Sequence, residues 1–312
     1  MSFSSDVKKE IAGIEGEDRH CRIAELAAVI NSCGSIRTKE NDVLFSIQTD
    51  SVYVMERAVN NINKDFKYAV NFGDSKTKSN NLHIINLDNP EIAQKLLWAA
   101  GIMDMRTKTV DFHIDGMVTK SVCCKKSYIR SAFLCSGYIS NPEKSYHLEF
   151  IFNSEDYANE FSGLINYFEL NSKVISRKGS YVVYLKEGEH IVDLLNIIGA
   201  HKCLLQLENL RITKEIMNNI NRKVNFQSAN LNKTINASVK HVEDIEFISG
   251  LKGLDWLPRH LEELARLRLD YPELALKELG ASLDVPISKS GINHRLKKIS
   301  EIADELRTGM KQ

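Results

Sequence analysis

The sequence lacks net charge: its 41 Lys and Arg are matched by 41 Asp and Glu. Global electrostatics therefore points to no polyanionic partner, and any such surface must come from local segregation of charge. No run approaches the roughly 18 apolar residues that cross a bilayer. The opening MSFSSDVKKEIAGI has no apolar core of a signal peptide; it reads as a short helix capped by Ser4 or Ser5. A cytoplasmic chain is expected. There is no CxxC among the six cysteines, Cys21, Cys33, Cys123, Cys124, Cys135 and Cys203, and they read as reduced, mostly buried thiols. Zinc sites favour paired ligands at short loop spacing, and Cys123 and Cys124 are too close along the chain to supply two tetrahedral corners easily. No metal and no cofactor are expected. What is present is 312 residues with 43% hydrophobic and 26% charged content, the balance of a folded chain long enough for two domains.

An internal repeat fills the first two thirds. LAAVINSCGSI (Leu26 to Ile36) and IRSAFLCSGYI (Ile129 to Ile139) are apolar helical patterns that run into Gly34 and Gly137. Each is followed by an alternating strand pattern, VLFSIQT and YHLEFIF, then by a polar starter, Asp50 or Ser154, and an amphipathic helix. Two further strands follow: FKYAVNF and NLHIINL in the first copy, SKVISR and SYVVYLK in the second, the latter pair joined by a Lys178-Gly179 turn. A last helix closes each copy, and each is read as αββαββα, although only one of the two strands before the middle helix stands out as a segment of its own. Ala28, Ser32 and Gly34, or Ser131, Ser136 and Gly137, let another backbone approach closely, so the two first helices are expected to pack as a pseudo-twofold seam.

Laid side by side, Leu26 to Gly34 and Ile129 to Gly137 resemble the two motif helices of the LAGLIDADG homing endonucleases, which pack over a saddle of antiparallel strands. The resemblance implies a metal-binding acid just before each glycine, but those positions hold Cys33 and Ser136. A hard cation wants carboxylate oxygens, and without it nothing clamps the attacking and leaving oxygens of a phosphodiester. The expectation is a scaffold that is no enzyme. Arg37, Lys39, Lys76, Lys78, Lys144, Lys173, Arg177, Lys178 and Lys186 fall on strands or turns, as solvated strand ends or as a contact surface for DNA or a partner. Lys120 to Lys126 reads as a strand or connector before the second motif helix.

Between Glu215 and Glu243 there is no acid, while Arg222, Lys223, Asn225, Asn230 and Lys233 fall inside with further asparagines. Such groups suit phosphate oxygens and base edges or interdomain contact, and asparagines suit caps and turns equally.

The final stretch carries the sharpest pattern. Leu257 to Pro272 is an amphipathic helix stopped by proline. Leu276, Leu279 and Leu283 recur at helical spacing before Asp284-Val285-Pro286 breaks the helix, and Ser288 caps another with apolar Ile292, Leu296, Ile299 and Ile302. Helix, short turn, helix is the spacing of a helix-turn-helix. No acid occurs from Val285 to Ser300. Ser288, Lys289, Ser290, Asn293 and His294 are the candidates for base or near-base contact in double-stranded DNA, and Arg295, Lys297 and Lys298 for phosphate contact.

With PEKSYHLEF, NRKVNFQSANLNKT and PISKSGINHRLKKI in order, nearly the full chain resembles the WhiA family. The resemblance implies a sequence-specific DNA-binding regulator tied to cell division and chromosome segregation, or to sporulation in related members. The expected class is α+β: a degenerate LAGLIDADG-like domain over 1–200 (repeats about 20–103 and 125–200), a basic, Asn-rich helical linker over 201–250, and a helix-turn-helix over 251–312. The alternatives are a protein-interaction module on a dead nuclease scaffold, or an active endonuclease.

Overall fold

The computed structural model describes residues 2–16, 18–39, 42–70, 73–77 and 80–309, with backbone alone at 38–39, 42–43, 73–77 and 80–81. Lys78, and the side chains of Lys39 and Lys76, lie outside the described residues. The chain divides into two compact units, residues 1–214 and 215–312.

In the first unit a short helix α1 (Phe3–Ala12) precedes the two repeats. The first repeat comprises α2 (Arg19–Cys33), β1 (Gly34–Lys39), β2 (Asp42–Thr49), α3 (Val52–Phe66), β3 (Gly73–Thr77), β4 (Asn80–Leu87) and α4 (Pro90–Ala99). The second comprises α5 (Val122–Ser136), β5 (Gly137–Ile139), β6 (Leu148–Phe152), α6 (Glu155–Asn166), β7 (Lys173–Arg177), β8 (Ser180–Leu185) and α7 (Gly188–Ile198). The αββαββα order holds in both. Each copy builds a four-stranded antiparallel sheet, ordered β1-β2-β4-β3 and β5-β6-β8-β7. The class is α+β with a duplicated domain, as the repeats require.

α2 and α5 are both 15 residues long and pack against each other as the central pair. Ala24, Ala27 and Ala28 on one and Ser131 and Ala132 on the other are fully enclosed. The two glycines serve a different purpose from the close helix contact expected of them. A Cβ on Gly34 would strike the Ile30 carbonyl of its own helix and the Phe45 ring, and one on Gly137 would strike Phe133. Their missing side chains let each helix pass directly into its first strand. Beneath the second sheet Phe150 packs edge-on against Phe133 and Phe161, centroids 5.8 and 4.8 Å apart.

Several local boundaries differ from the sequence reading. Ser2 caps α1, accepting from Ser5 N, because the helix already includes Phe3; Ser4 is buried and accepts from Ile139 N at 3.3 Å. Phe66 to Val70 forms no strand: α3 runs to Phe66 and stops at a left-handed Lys67. The alternation there reflects Phe66, Tyr68 and Val70 turned toward the core, with Asn63 Oδ1 accepting from Val70 N; Asn71 and Phe72 lie outside the described residues. Ser51 precedes α3 in the place expected of Asp50, and α5 begins at Val122, so Cys123 and Cys124 lie in its first turn. Ser154 caps α6 as expected, and the Lys178-Gly179 turn has both residues at positive φ.

A 52-residue helix, α8 (His201–Lys252), leads into the second unit. There Ile245 and Ile248 of α8 join α9 (Arg259–Asp270), α10 (Leu276–Ala281) and α11 (Lys289–Gly309) around a separate core. No helix among the described residues is long and apolar enough to cross a membrane.

Candidate nucleic-acid interface

α10 and α11 form the helix-turn-helix, and buried polar contacts fix its corners. Arg268, 2% exposed, donates to the carbonyls of Pro272 and Leu274 and so holds the turn between α9 and α10. Ile287 N donates to Gly280 O at 3.0 Å, and a Cβ on Gly280 would collide with the Ile287 carbonyl. Only glycine lets the turn close this tightly over α10. Asp284 N donates to Glu263 on α9, and Ser288 Oγ accepts from Gly291 N as the cap of α11.

α11 is seated by Ile292, Leu296, Ile299 and Ala303, which are all buried. Ile302, expected in that stripe, is half-buried, and Ala303 takes the inner seat. The opposite face presents Ser288, Lys289, Ser290, Asn293, His294, Lys297 and Lys298, all exposed. Lys289, Asn293 and Lys297 are four residues apart and share a side of the helix. No acid occupies its first turn, so the free backbone N–H groups there add positive potential. Arg295 is half-buried and donates to the His260 carbonyl at 3.2 Å, tethered to α9. Lys297 and Lys298 lie 3.8 and 3.7 Å from Glu301, pairings loose enough to exchange for phosphate. At the far end Arg307 donates to buried Asp244 at 2.7 Å and covers the Phe247 ring, fastening α11 to the end of α8.

Arg222, Lys223, Asn225, Asn230 and Lys233 all stand exposed on α8. They lie inside a continuous helix, so these asparagines cap nothing and turn nothing. Val224, Phe226 and Leu231 are exposed among them.

At the strand end of the α2–α5 pair sit the two positions where the nuclease motif would carry acids. A hydrogen bond from Cys135 holds the Cys33 thiol below its usual range, opposed by burial, and the same contact together with burial keeps Cys135 protonated. Ser136 Oγ donates back to Ala132 O. The Lys8 ammonium, its pKa depressed by burial, acts on both thiols. Sequence reasoning missed this lysine because α1 lies outside the repeats. It also missed a buried cluster on α2. Glu25, 1% exposed, accepts from Arg57 at 2.9 Å and from Asn61 at 3.0 Å, with Arg130 of α5 at 3.6 Å. On the outer face of the second sheet, Tyr138, Ile151 and Ile175 are exposed beside Lys173 and Arg177.

Fold and site together define a duplicated LAGLIDADG-like domain coupled to a helix-turn-helix. The chain belongs to the WhiA family. Residues 19–103 match the WhiA N-terminal LAGLIDADG-like domain, 125–218 the WhiA LAGLIDADG-like domain and 220–303 the WhiA C-terminal HTH domain. It is 45% identical over 315 residues to the "Probable cell division protein WhiA" of Clostridium botulinum strain Hall, covering 99% of this chain and 100% of the relative. The protein of the same name from Clostridium perfringens strain 13 is 46% identical, with 99% of each chain covered. A crystal structure of full-length DUF199/WhiA from Thermotoga maritima aligns with a TM-score of 0.61 at 25% identity, covering 98% of this chain and 99% of that one.

Proposed function

We propose that this chain is a non-catalytic, sequence-specific binder of double-stranded DNA that regulates transcription in bacterial cell division and chromosome segregation, acting in the cytoplasm at the nucleoid. The observation that carries this reading is α11: one face locked into the core by Ile292, Leu296 and Ile299, the other exposed and free of acid through its first three turns. A rigid cationic helix of this kind enters a major groove N-terminus first. Lys289, Ser290, Asn293 and His294, with the cap Ser288, are the base-side set, and Lys297 and Lys298 grip phosphate. Arg295, tied to His260, positions the helix against α9 and reaches phosphate only by exchanging that carbonyl. Arg222, Lys223, Asn225, Asn230 and Lys233 extend the contact along α8. The working modules are the saddle over 1–200, the basic helical segment over 201–250 and the helix-turn-helix over 251–312.

The absence of catalysis rests on the seam. The two motif positions hold a thiol and a hydroxyl in place of the paired carboxylates that divalent ions need, and the Asp50 carboxylate that acts on Cys33 is matched by the Lys8 ammonium. The exposed Tyr138, Ile151 and Ile175 favour a second role for the saddle, as a platform for another regulator or a division protein.

The test is binding of the full chain to genomic fragments and random duplexes across a salt series. A preferred sequence with a steep salt slope supports the reading. Asn293→Ala should relax the preference, costing about 1–3 kcal/mol on the preferred site and little on random DNA. No binding to any duplex overturns the proposal, and Mg²⁺-dependent strand cleavage overturns its non-catalytic part.

A further inference from the structure

The other end of the α2–α5 pair carries a second constellation. His20 and Cys21 lie in the first turn of α2, and Cys123 and Cys124 in the first turn of α5. His20 precedes Cys123 by 103 positions, and Cys21 precedes Cys124 by the same interval. Gly34 and Gly137 share that interval, so each repeat contributes the same two positions across the pseudo-twofold axis. The sequence argument against a metal site is that Cys123 and Cys124, taken alone, are too close along the chain to fill two tetrahedral corners easily. The fold removes that objection by bringing two distant pairs together.

His20 Nδ1 lies 3.2 Å from Cys124 Sγ, 3.4 Å from Cys21 Sγ and 4.0 Å from Cys123 Sγ. All four ligand atoms fall within 4.8 Å of one another. A tetrahedral zinc ion about 2.3 Å from sulfur and about 2.0 Å from imidazole nitrogen sets its ligand atoms about 3.5–3.8 Å apart. The observed separations of 3.2–4.0 Å from the imidazole nitrogen bracket that range. Cys21 and Cys124 are buried, while His20 and Cys123 are exposed, which leaves an entry path from solvent. The three cysteines of the cluster are free thiols, as are Cys33, Cys135 and Cys203.

The residues around the cluster supply an independent argument. Both helices have a polar N-cap residue whose side chain makes no capping hydrogen bond, Asp18 for α2 and Ser121 for α5. Each faces the cluster instead. Asp18 Oδ2 is 3.4 Å from His20 Nε2, the carboxylate–imidazole pairing that orients a histidine whose other nitrogen holds a metal. Ser121 Oγ donates to Cys124 Sγ at 2.9 Å and accepts from Cys123 Sγ at 3.3 Å.

We propose that His20, Cys21, Cys123 and Cys124 bind one zinc ion that clasps the two repeats together at the N-terminal ends of their paired helices. Thiolate and imidazole ligands select zinc over magnesium or manganese. Four protein ligands leave no open position, so the ion is structural. Protons on the coordinating thiols pass to solvent as it binds. The site is distinct from the degenerate nuclease seam, which lies about 20 Å away at the C-terminal ends of the same 15-residue helices.

The test uses untagged full-length chain purified under reducing conditions without chelator. Elemental analysis should find about one zinc per chain. After zinc removal, Co²⁺ should give thiolate charge-transfer and tetrahedral d–d bands that zinc bleaches. Cys123→Ser, at an exposed position, should keep the native circular dichroism and weaken Zn²⁺ affinity at least tenfold. Asp18→Asn, which leaves every ligand in place, should weaken it about 10–100-fold. The proposal is overturned by a reduced chain that is metal-free as isolated and gives no such cobalt spectrum. It is equally overturned by zinc affinity unchanged in both variants. A disulfide from Cys21 to Cys123 or Cys124, found by mass spectrometry in chain alkylated at lysis, overturns it in favour of a redox pair.

Discussion

Replacing Lys297 with alanine measures whether α11 lies along a phosphate backbone. Lys297 is 74% exposed and its carboxylate neighbour Glu301 stands 3.8 Å away, so the ammonium gives up little when it moves to a phosphate. Each phosphate neutralised on B-DNA adds about 0.9 to the slope of log K against log salt. Between about 50 and 200 mM salt, one contact is therefore worth about a 3.5-fold change in affinity. Lys297→Ala should flatten the slope by about 0.9, and Lys297→Ala with Lys298→Ala by about 1.8. The variants' deficit is largest in dilute salt and shrinks by those factors as salt rises. Glu301→Gln should shift affinity the other way by releasing both lysines. Fluorescence anisotropy on a preferred and a random duplex reads all of this, and losses must be alike on the two. A Lys297→Ala line parallel to that of the native chain would refute the phosphate assignment. Losses confined to the preferred duplex would move Lys297 to the base-reading set.

Three further outcomes concern the scaffold. Arg57→Ala strands the enclosed Glu25 carboxylate with Arg130 at 3.6 Å and should cost about 3–5 kcal/mol in urea unfolding of the first unit; adding Glu25→Leu should recover part of it, and a single-variant loss under about 1 kcal/mol would contradict the burial argument. Gly280→Ala forces a methyl group onto the Ile287 carbonyl and should destabilise the second unit by about 1–3 kcal/mol, read as a lower melting temperature together with weaker DNA binding. Burial, and then the charge of Arg268, hold the half-buried His241 below its ordinary pKa of 6.5. The folded unit keeps it neutral while the unfolded chain protonates it, so its stabilising contribution is present above about 6.5 and is lost as pH falls below that. Melting of His241→Gln across that range should be flatter with pH than the native chain.

The duplication was legible because helical and alternating periodicities recur in the same order, each anchored on a glycine, and periodicity is the strongest signal a single sequence carries. The helix-turn-helix was legible for a similar reason: Pro272, Pro286 and Ser288 punctuate it at positions where the chain must stop or start. Phe66 to Val70 misled because a half-buried extended segment alternates like a strand without pairing as one. The Glu25–Arg57–Arg130 cluster was invisible because its members are far apart in sequence and look like ordinary surface charges. Arg295 read as a free cation, since nothing local announces that its guanidinium is held by a carbonyl of the preceding helix. Lys8 escaped notice because a lysine in a short helix outside both repeats reads as an ordinary surface charge.

α2 and α5 have equal length and feed sheets of equal order, yet what they carry has diverged. Glu25 occupies on one helix the place that Tyr128 occupies on the other, and the glutamate answers to an arginine across the join. A half-length ancestor assembling as identical copies would have been bound to mirror every change on both sides, and to meet only targets with matching halves. A single polypeptide carrying both halves is free of that obligation. Whatever rests across the join meets a left and a right that differ, so its polarity is dictated from the outset.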